Sequence, residues 1–180
     1  MATVNLTPDA TVSSDWAAYE PGAGSGTAHE NLADSDDDTG IRTQDQNDEC
    51  IVTLTNYSAG GTINSIRHYI RGYLFNTRGG DTEVQVILEN SGGTALYTEN
   101  HQLLFNGYTP QDFNGTARTT SDGSSAWVDG DLDGLRLNIN TIPEDPPGVS
   151  KATVVRAFVE VTFTSATAVT DNAVFFGSNF

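Results

Sequence analysis

Two runs of aspartate are the densest chemistry in the sequence. Asp34-Ser35-Asp36-Asp37-Asp38-Thr39-Gly40 places four acids within five residues. Like charges that close repel one another, and a hard cation such as Ca2+ is held by several carboxylate oxygens. Asp34, Asp36, Asp37 and Asp38 are therefore candidate calcium ligands, with a solvated acidic loop as the alternative. Asp129-Gly130-Asp131-Leu132-Asp133-Gly134 repeats the first half of a calcium loop, with acids at positions 1, 3 and 5 and glycine at 6. Position 12 of that loop is Asn140 rather than a bidentate glutamate. Strand-like Leu135-Arg136-Leu137 also follows early, so a polar turn entering a strand competes with Asp129, Asp131 and Asp133 as ligands.

Other reactive types are sparse. The histidines are His29, His68 and His101, and no two are spaced as a zinc pair. Cys50 is the single cysteine, cannot form an internal disulfide, and reads as a buried strand residue. No serine stands in a nucleophile elbow, and Gly22-Ala23-Gly24-Ser25-Gly26 lacks the lysine of a phosphate loop. With 24 carboxylates some pair must fall at glycosidase spacing, so that spacing discriminates nothing. The expectation is a protein that is not an enzyme.

Aromatic side chains offer a different chemistry, because a sugar's apolar face stacks on a ring. Trp16, Tyr19, Tyr57, Tyr97, Tyr108 and Trp127 are the rings to weigh, with Trp16, Trp127 and Tyr108 as the glycan-contact candidates. Trp127 also suits the core at a sandwich edge. The sequons at Asn5, Asn56 and Asn114 are no more than composition gives by chance.

The elements that must position these residues are strands. Period-2 alternation recurs, and no long window shows a 3.6-residue period. Strands are predicted over 50–55, 62–75, 82–89, 94–105, 132–139 and 152–164. Gly72 is expected to mark a bulge. Val155, Ala157, Val159, Val161 and Phe163 are expected on one face of the strongest strand. Glycine- and proline-rich turns at 59–61, 78–81, 91–93, 121–123 and 143–148 punctuate them. The predicted fold is all-β: a single antiparallel β-sandwich of jelly-roll type spanning 1–164. Residues 9–48 carry ten acids and one base, Arg42, and read as long loops with one or two short strands. Residues 165–180 read as a tail. Its Phe175, Phe176 and Phe180 should not stay in water, so they are expected to close the chain's own sheet or pack on a neighbouring subunit.

The chain has 180 residues, 24 acids and 8 bases, for a net charge of −16. A duplex-binding protein needs lysine and arginine to displace phosphate counterions, so nucleic acid is excluded as a partner. Anionic membranes are disfavoured for the same reason, and no apolar run is long enough for a spanning helix. The N-terminus shows no basic start or apolar stretch of a secretory leader. Aspartate over glutamate and arginine over lysine fit a surface adapted to molar salt, where repulsion is screened.

Taken in order, Asp36-Asp37-Asp38-Thr39-Gly40-Ile41, the strand opening Ile63-Asn64-Ser65-Ile66, the segment Ser125–Leu135 with Trp127, and the final Val155–Phe163 run resemble small jelly-roll proteins in virions of tailed bacterial and archaeal viruses. They are also similar to jelly-roll modules that bind glycans. The resemblance spans roughly residues 31–164. It implies a non-enzymatic structural protein of a virus particle, a head decoration or turret subunit assembled in the host cytoplasm and located in the virion. Its implied partners are copies of itself, as trimers or pentamers, the major capsid protein, and host-surface glycans. The alternative it implies is a carbohydrate-binding module on a tail fibre or a larger enzyme.

Light scattering after size exclusion tests the salt-adapted, self-assembling reading. A discrete oligomer in molar salt that dissociates or loosens in millimolar salt is the expected result. A compact monomer indifferent to salt contradicts it.

Overall fold

A computed structural model describes residues 1–19, 26–43, 45, 47–75, 82–104, 108–142 and 152–166. Among the described residues, eleven strands lie in two antiparallel sheets: β1 Ala2–Leu6, β2 Pro8–Ser14, β3 Ala17–Tyr19, β4 Gly40–Thr43, β5 Glu49–Leu54, β6 Thr62–Leu74, β7 Thr82–Glu89, β8 Ala95–Leu103, β9 Gln111–Asn114, β10 Arg136–Thr141 and β11 Ala152–Thr164. The first sheet has the order β3-β4-β11-β6-β9, with β1 also on β11; the second has the order β2-β5-β10-β7-β8. The fold is an antiparallel β-sandwich, as the alternation predicts.

The core lies between the sheets. Val52 and Leu54 of β5, Val84, Val86 and Leu88 of β7, and Leu137 and Ile139 of β10 meet Ile66 and Ile70 of β6 and Ala157, Val159 and Val161 of β11. Trp16 and Trp127 join this core, each 3% exposed. Cys50 is buried within it, and burial pushes its thiol up to about 11, so the sulfur is unreactive at neutral pH.

The first fifty residues are more ordered than the acid-rich reading allows. They carry β1, β2, β3, β4 and a helix, α1 Ala28–Ala33. Thr27 precedes the helix and its backbone N–H donates to Glu30 Oε2 at 2.9 Å, the Ser/Thr-x-x-Glu pattern of a helix start. Ala28 and Leu32 bury their side chains, and Asn31 Nδ2 donates to the Gly40 carbonyl at 3.0 Å. A six-residue helix cannot hold itself in water. This one is held by packing, so no long helical period announces it.

Two details correct the strand reading. A bulge does fall at the Gly72 step, but its extra residue is on β11, and a second register shift lies between Thr162 and Phe163. Val154 pairs with Gly72 and Arg156 with Arg71, which leaves Val155 as the extra residue. The insertion shifts the phase, so Ala152 and Val154, not Val155, continue the core row of Ala157, Val159, Val161 and Phe163. Gly72 has a different constraint: a Cβ there would stand 2.6 Å from the Thr153 carbonyl. The strand predicted over 132–139 begins only at Arg136. A 3-10 turn at Asp129–Asp131 and a left-handed Gly134 come first, while Leu132 and Leu135 are still buried.

Leu137 sits on the central strand of its sheet with no exposure. Leu137→Ala is expected to lower stability by about 2–5 kcal/mol, whereas Val12→Ala, on an exposed position of β2, should stay within about 0.5 kcal/mol. Urea unfolding midpoints check both; equal shifts would contradict this placement of the core.

Candidate functional site

Alternation on β6 and β11 sends the core inward and builds a second, polar and aromatic face outward. Arg67, Tyr69, Arg71 and Tyr73 of β6 stand beside Glu160, Phe158, Arg156 and Thr153 of β11, in that register. Tyr69 stacks on Phe158 at 4.4 Å between centroids, and the Arg156 guanidinium lies 5.2 Å from the Phe158 ring. Arg67 Nε donates to Glu160 Oε1 at 2.8 Å. Four of the chain's seven arginines, Arg42, Arg67, Arg71 and Arg156, lie on this face.

Arg71 is its central tie. Its Nε and Nη2 donate to the two carboxylate oxygens of Asp37, each at 2.7 Å, and Nη1 donates to Asp112 Oδ1 at 2.7 Å. The Tyr69 hydroxyl also donates to Asp112 Oδ1. The Arg71 guanidinium holds the Asp37 carboxyl below its ordinary pKa. The Tyr69 hydroxyl, then Arg71, does the same for Asp112. Burial, then the bond to Asp112, pushes the Tyr69 phenol up to about 12.

At the β3–β4 edge the face deepens into a cleft of about 370 Å³ lined by Asp15, Tyr19, Arg42, Asp45 and Asp48. The Arg42 guanidinium carbon lies 3.5 Å from the Tyr19 centroid and 3.9 Å from that of Phe75, so rings cover it closely. Its Nε donates to Thr153 Oγ1 at 3.0 Å and its Nη2 to the Tyr73 hydroxyl at 3.3 Å. Tyr108, 54% exposed, extends the aromatic group: its ring is 5.3 Å from Phe75 and 6.3 Å from Tyr73. Tyr108 adopts φ +66°, a left-handed backbone that a bulky residue rarely takes.

The structure sorts the residues singled out in the sequence. Trp16 and Trp127 are not sugar platforms: their rings are in the core, with Nε1 donating to the Asp48 carbonyl at 3.1 Å and the Arg118 carbonyl at 2.9 Å. Tyr57 is also core, edge-on to Phe163. Tyr108 is at the surface beside Phe75, and Tyr19 lies against Arg42. Phe175, Phe176 and Phe180 lie outside the described residues.

Neither aspartate run forms a converging cage. Asp34 accepts from the Asp36 N–H at 3.1 Å and the Thr39 hydroxyl at 2.7 Å, and Asp36 accepts from the Asp38 N–H at 2.9 Å. Asp37 turns away to Arg71. The Arg71 guanidinium offsets part of the negative charge of this loop. In the second run Asp131 Oδ2 accepts from the Val128 N–H at 3.0 Å, which makes this the polar turn before a strand.

What the sequence did not reveal is a meeting of distant residues. His68 and His101, 33 apart, bring their Nε2 atoms to 2.6 Å, with Glu99 alongside. Burial, then the neighbouring His101 ring, pushes His68 down to about 4, and burial lowers His101 too. One signal was available. His68 shares its alternation phase with Ile66 and Ile70, which points it inward.

No family model matches the sequence, and no curated protein matches it. Solved structures do. The xylan-binding module CBM15 is 8% identical, with a TM-score of 0.51 over 92% of this chain and 99% of that one. The CBM22-1 xylan-binding domain from Paenibacillus barcinonensis is 11% identical over 91% of this chain and 95% of that one, TM-score 0.46. The CBM36-1 domain of a multidomain xylanase from the hindgut metagenome of Trinervitermes trinervoides is 12% identical over 92% and 100%, TM-score 0.43. The first, the module CBM15, shares this chain's fold, and nothing among these neighbours supports the expected virion role.

The Arg71 ties make a pH prediction. Asp37 and Asp112 have lowered folded-state pKa values, so their contribution is present above the unfolded carboxylate pKa and lost as pH falls through the folded one. Both carboxylates are about half exposed, so solvent screening keeps each pair to about 1 kcal/mol or less. Arg71→Met should lower the thermal midpoint at neutral pH and match the wild type once both carboxylates are protonated. A gap of constant size across an acid titration would contradict this.

Proposed function

We propose that the protein is a non-catalytic glycan-binding module that lays a polysaccharide chain across the outer face of the six-stranded sheet. The observation that carries this reading is the arrangement of rings and fixed donors on that face. Tyr69, backed by the buried Phe158 ring, supplies one apolar surface, and Tyr108 with Phe75 and Tyr19 supplies another beside the cleft. Sugar C–H faces stack on such rings, while Arg42, Arg71, Asp37 and Asp112 offer donors and acceptors to the equatorial hydroxyls. Those polar groups are held in place by one another, so binding need not order them.

The dimensions are adequate. From β4 across β11 and β6 to β9 is three strand intervals, roughly 14 Å. That accommodates a short oligosaccharide rather than a single sugar buried in a pocket. The fold shared with a xylan-binding module supports the reading by analogy, and xylan is accordingly the first polysaccharide to test. The virion-subunit reading has no comparable observation in its favour.

Affinity electrophoresis and titration calorimetry against soluble xylan, mixed-linkage β-glucan and a uronate-bearing polysaccharide test the proposal. Binding to at least one is expected, weakened about tenfold or more by Tyr69→Ala and by Tyr108→Ala. Val12→Ala, on the other sheet, should leave it unchanged, with circular dichroism confirming the fold of each variant. Retained affinity in the Tyr69→Ala/Tyr108→Ala double variant, or no binding to any of the three, would overturn it.

A further inference from the structure

Where the two sheets meet beside β8, the core ends in polar side chains. His68 is fully buried on the inner face of β6, between Ile66 and Ile70. Across the gap, Tyr97, Glu99 and His101 of β8 alternate inward ahead of Leu103, which is fully buried. His68 Nε2 stands 2.6 Å from His101 Nε2 and 3.9 Å from Glu99 Oε2. All three donor atoms lie within 4.8 Å of one another, the one such group of ligand-type side chains among the described residues. We propose that His68, Glu99 and His101 form a binding site for a divalent transition-metal ion of the zinc class, which clamps β8 of one sheet to β6 of the other.

The ligand chemistry selects this class of ion. Two imidazoles and one carboxylate suit zinc, cobalt or nickel, whereas calcium takes a shell of oxygens. The spacing fits after a small adjustment. With zinc about 2.0–2.1 Å from each donor, tetrahedral ligand atoms stand roughly 3.4 Å apart. The His–His pair is closer than that and the His–Glu pair wider. An ion between them therefore separates the rings and draws the carboxylate in. His101 is on an edge strand and half-buried, so it has room for the shift. Three protein ligands leave a four-coordinate ion one place for water.

The surroundings support the same site. The Thr116 N–H donates to Glu99 Oε2 at 2.8 Å and Arg118 Nη2 to Glu99 Oε1 at 3.0 Å, which fixes the carboxylate's direction as outer-shell partners do. The His68 ring stacks on Tyr97 with centroids 5.9 Å apart, and His101 rests on Phe113 at 5.7 Å. Gly115 is the floor: a Cβ there would fall 2.3 Å from His68 Cε1 and 2.8 Å from Glu99 Oε2. His68 Nδ1 is buried without a hydrogen-bond partner, so hydrogen bonding alone does not explain a histidine here.

The test uses the full chain without a histidine tag, stripped with a chelator and titrated with zinc chloride, and separately with calcium chloride. Calorimetry should show one zinc ion per chain and no calcium binding. The thermal midpoint should rise with zinc concentration, because only the folded chain presents the site. Cobalt(II) should give the visible absorption of a nitrogen- and oxygen-ligated ion. His101→Ala should weaken zinc binding by more than about 100-fold, beyond the cost of an outer-shell change. His29→Ala should bind as the wild type does, since His29 is engaged with Thr11 and Thr27 instead. If His101→Ala fails to fold, Glu99→Gln, which keeps the side chain's shape, replaces it. No zinc binding by the wild-type chain, or equal binding by the folded ligand variant, would overturn the proposal. The glycan-binding face is on the opposite side of the sheet, so either proposal can fail alone.

Discussion

The pairing of β6 with β11 is the constraint on which the rest of the structure depends. Both strands run for thirteen residues, and their register extends from Thr62 opposite Thr164 to Leu74 opposite Ala152. Every other strand of that sheet attaches to this pair directly or through β4. A one-residue slip would turn Val159 and Ile70 to solvent and carry Tyr69, Phe158 and Arg71 into the core. The register therefore sets the hydrophobic interior and the aromatic, arginine-bearing exterior at once. The bulge at Val155 belongs to the same constraint. It lets one strand satisfy the core row on both sides of an extra residue, and it sets that residue's backbone against Gly40. A Cβ on Gly40 would lie 2.5 Å from the Val154 carbonyl and 2.9 Å from Val155 Cα.

Charge is organised around the same sheet. The chain has three acids for each base, yet its arginines are placed where acids crowd. Arg71 gathers Asp37 and Asp112, Arg67 takes Glu160, and Arg118 takes Glu99. Guanidinium suits the task because its fixed fork bonds two oxygens at once, as it does at Asp37. Arg42 differs: among the described residues it has no carboxylate within ion-pair distance and is faced by rings instead. An arginine so placed keeps N–H groups for a neutral hydroxyl-rich ligand without first breaking an ion pair. That separates the Arg42 cleft from the Arg71 cluster in chemical character, although both lie on one sheet.

Much of the fold was legible because it rests on period 2. Val84, Val86 and Leu88, or Leu137 and Ile139, declare their face by alternation, and each is fully buried. The N-terminal region was not legible, because its strands are short and its acids gave a loop-like composition. Thr27-x-x-Glu30 did carry a helix-start signature there, but six residues give no period to confirm it. The candidate site was only partly legible. Tyr19 and Tyr108 are visible as rings in the sequence, but Tyr19 meets Arg42 only through the pairing of β3 with β4, and Tyr108 reaches Phe75 from the segment before β9. Trp127 is in the core, as its position at a sandwich edge suggests, while Trp16 was hard to place in an acidic segment; each has a backbone carbonyl for its indole N–H and so can be buried.

The histidine cluster shows what determines the placement of polar groups in such a sandwich. An antiparallel sandwich closes its centre with aliphatic layers, as between β7, β10 and β11, but at β8 one sheet ends and the facing layer thins. Tyr97, Glu99 and His101 are each partly exposed, while His68 opposite them is completely enclosed. A fully buried imidazole opposite an acid is a costly way to fill that space, since an aliphatic side chain at residue 68 would continue the row of Ile66 and Ile70 without desolvating a ring nitrogen. The cost is more intelligible if the ring is used than if it only packs. Gly115 points the same way, because its missing side chain leaves room for the imidazole and the carboxylate together, a vacancy that packing alone would fill.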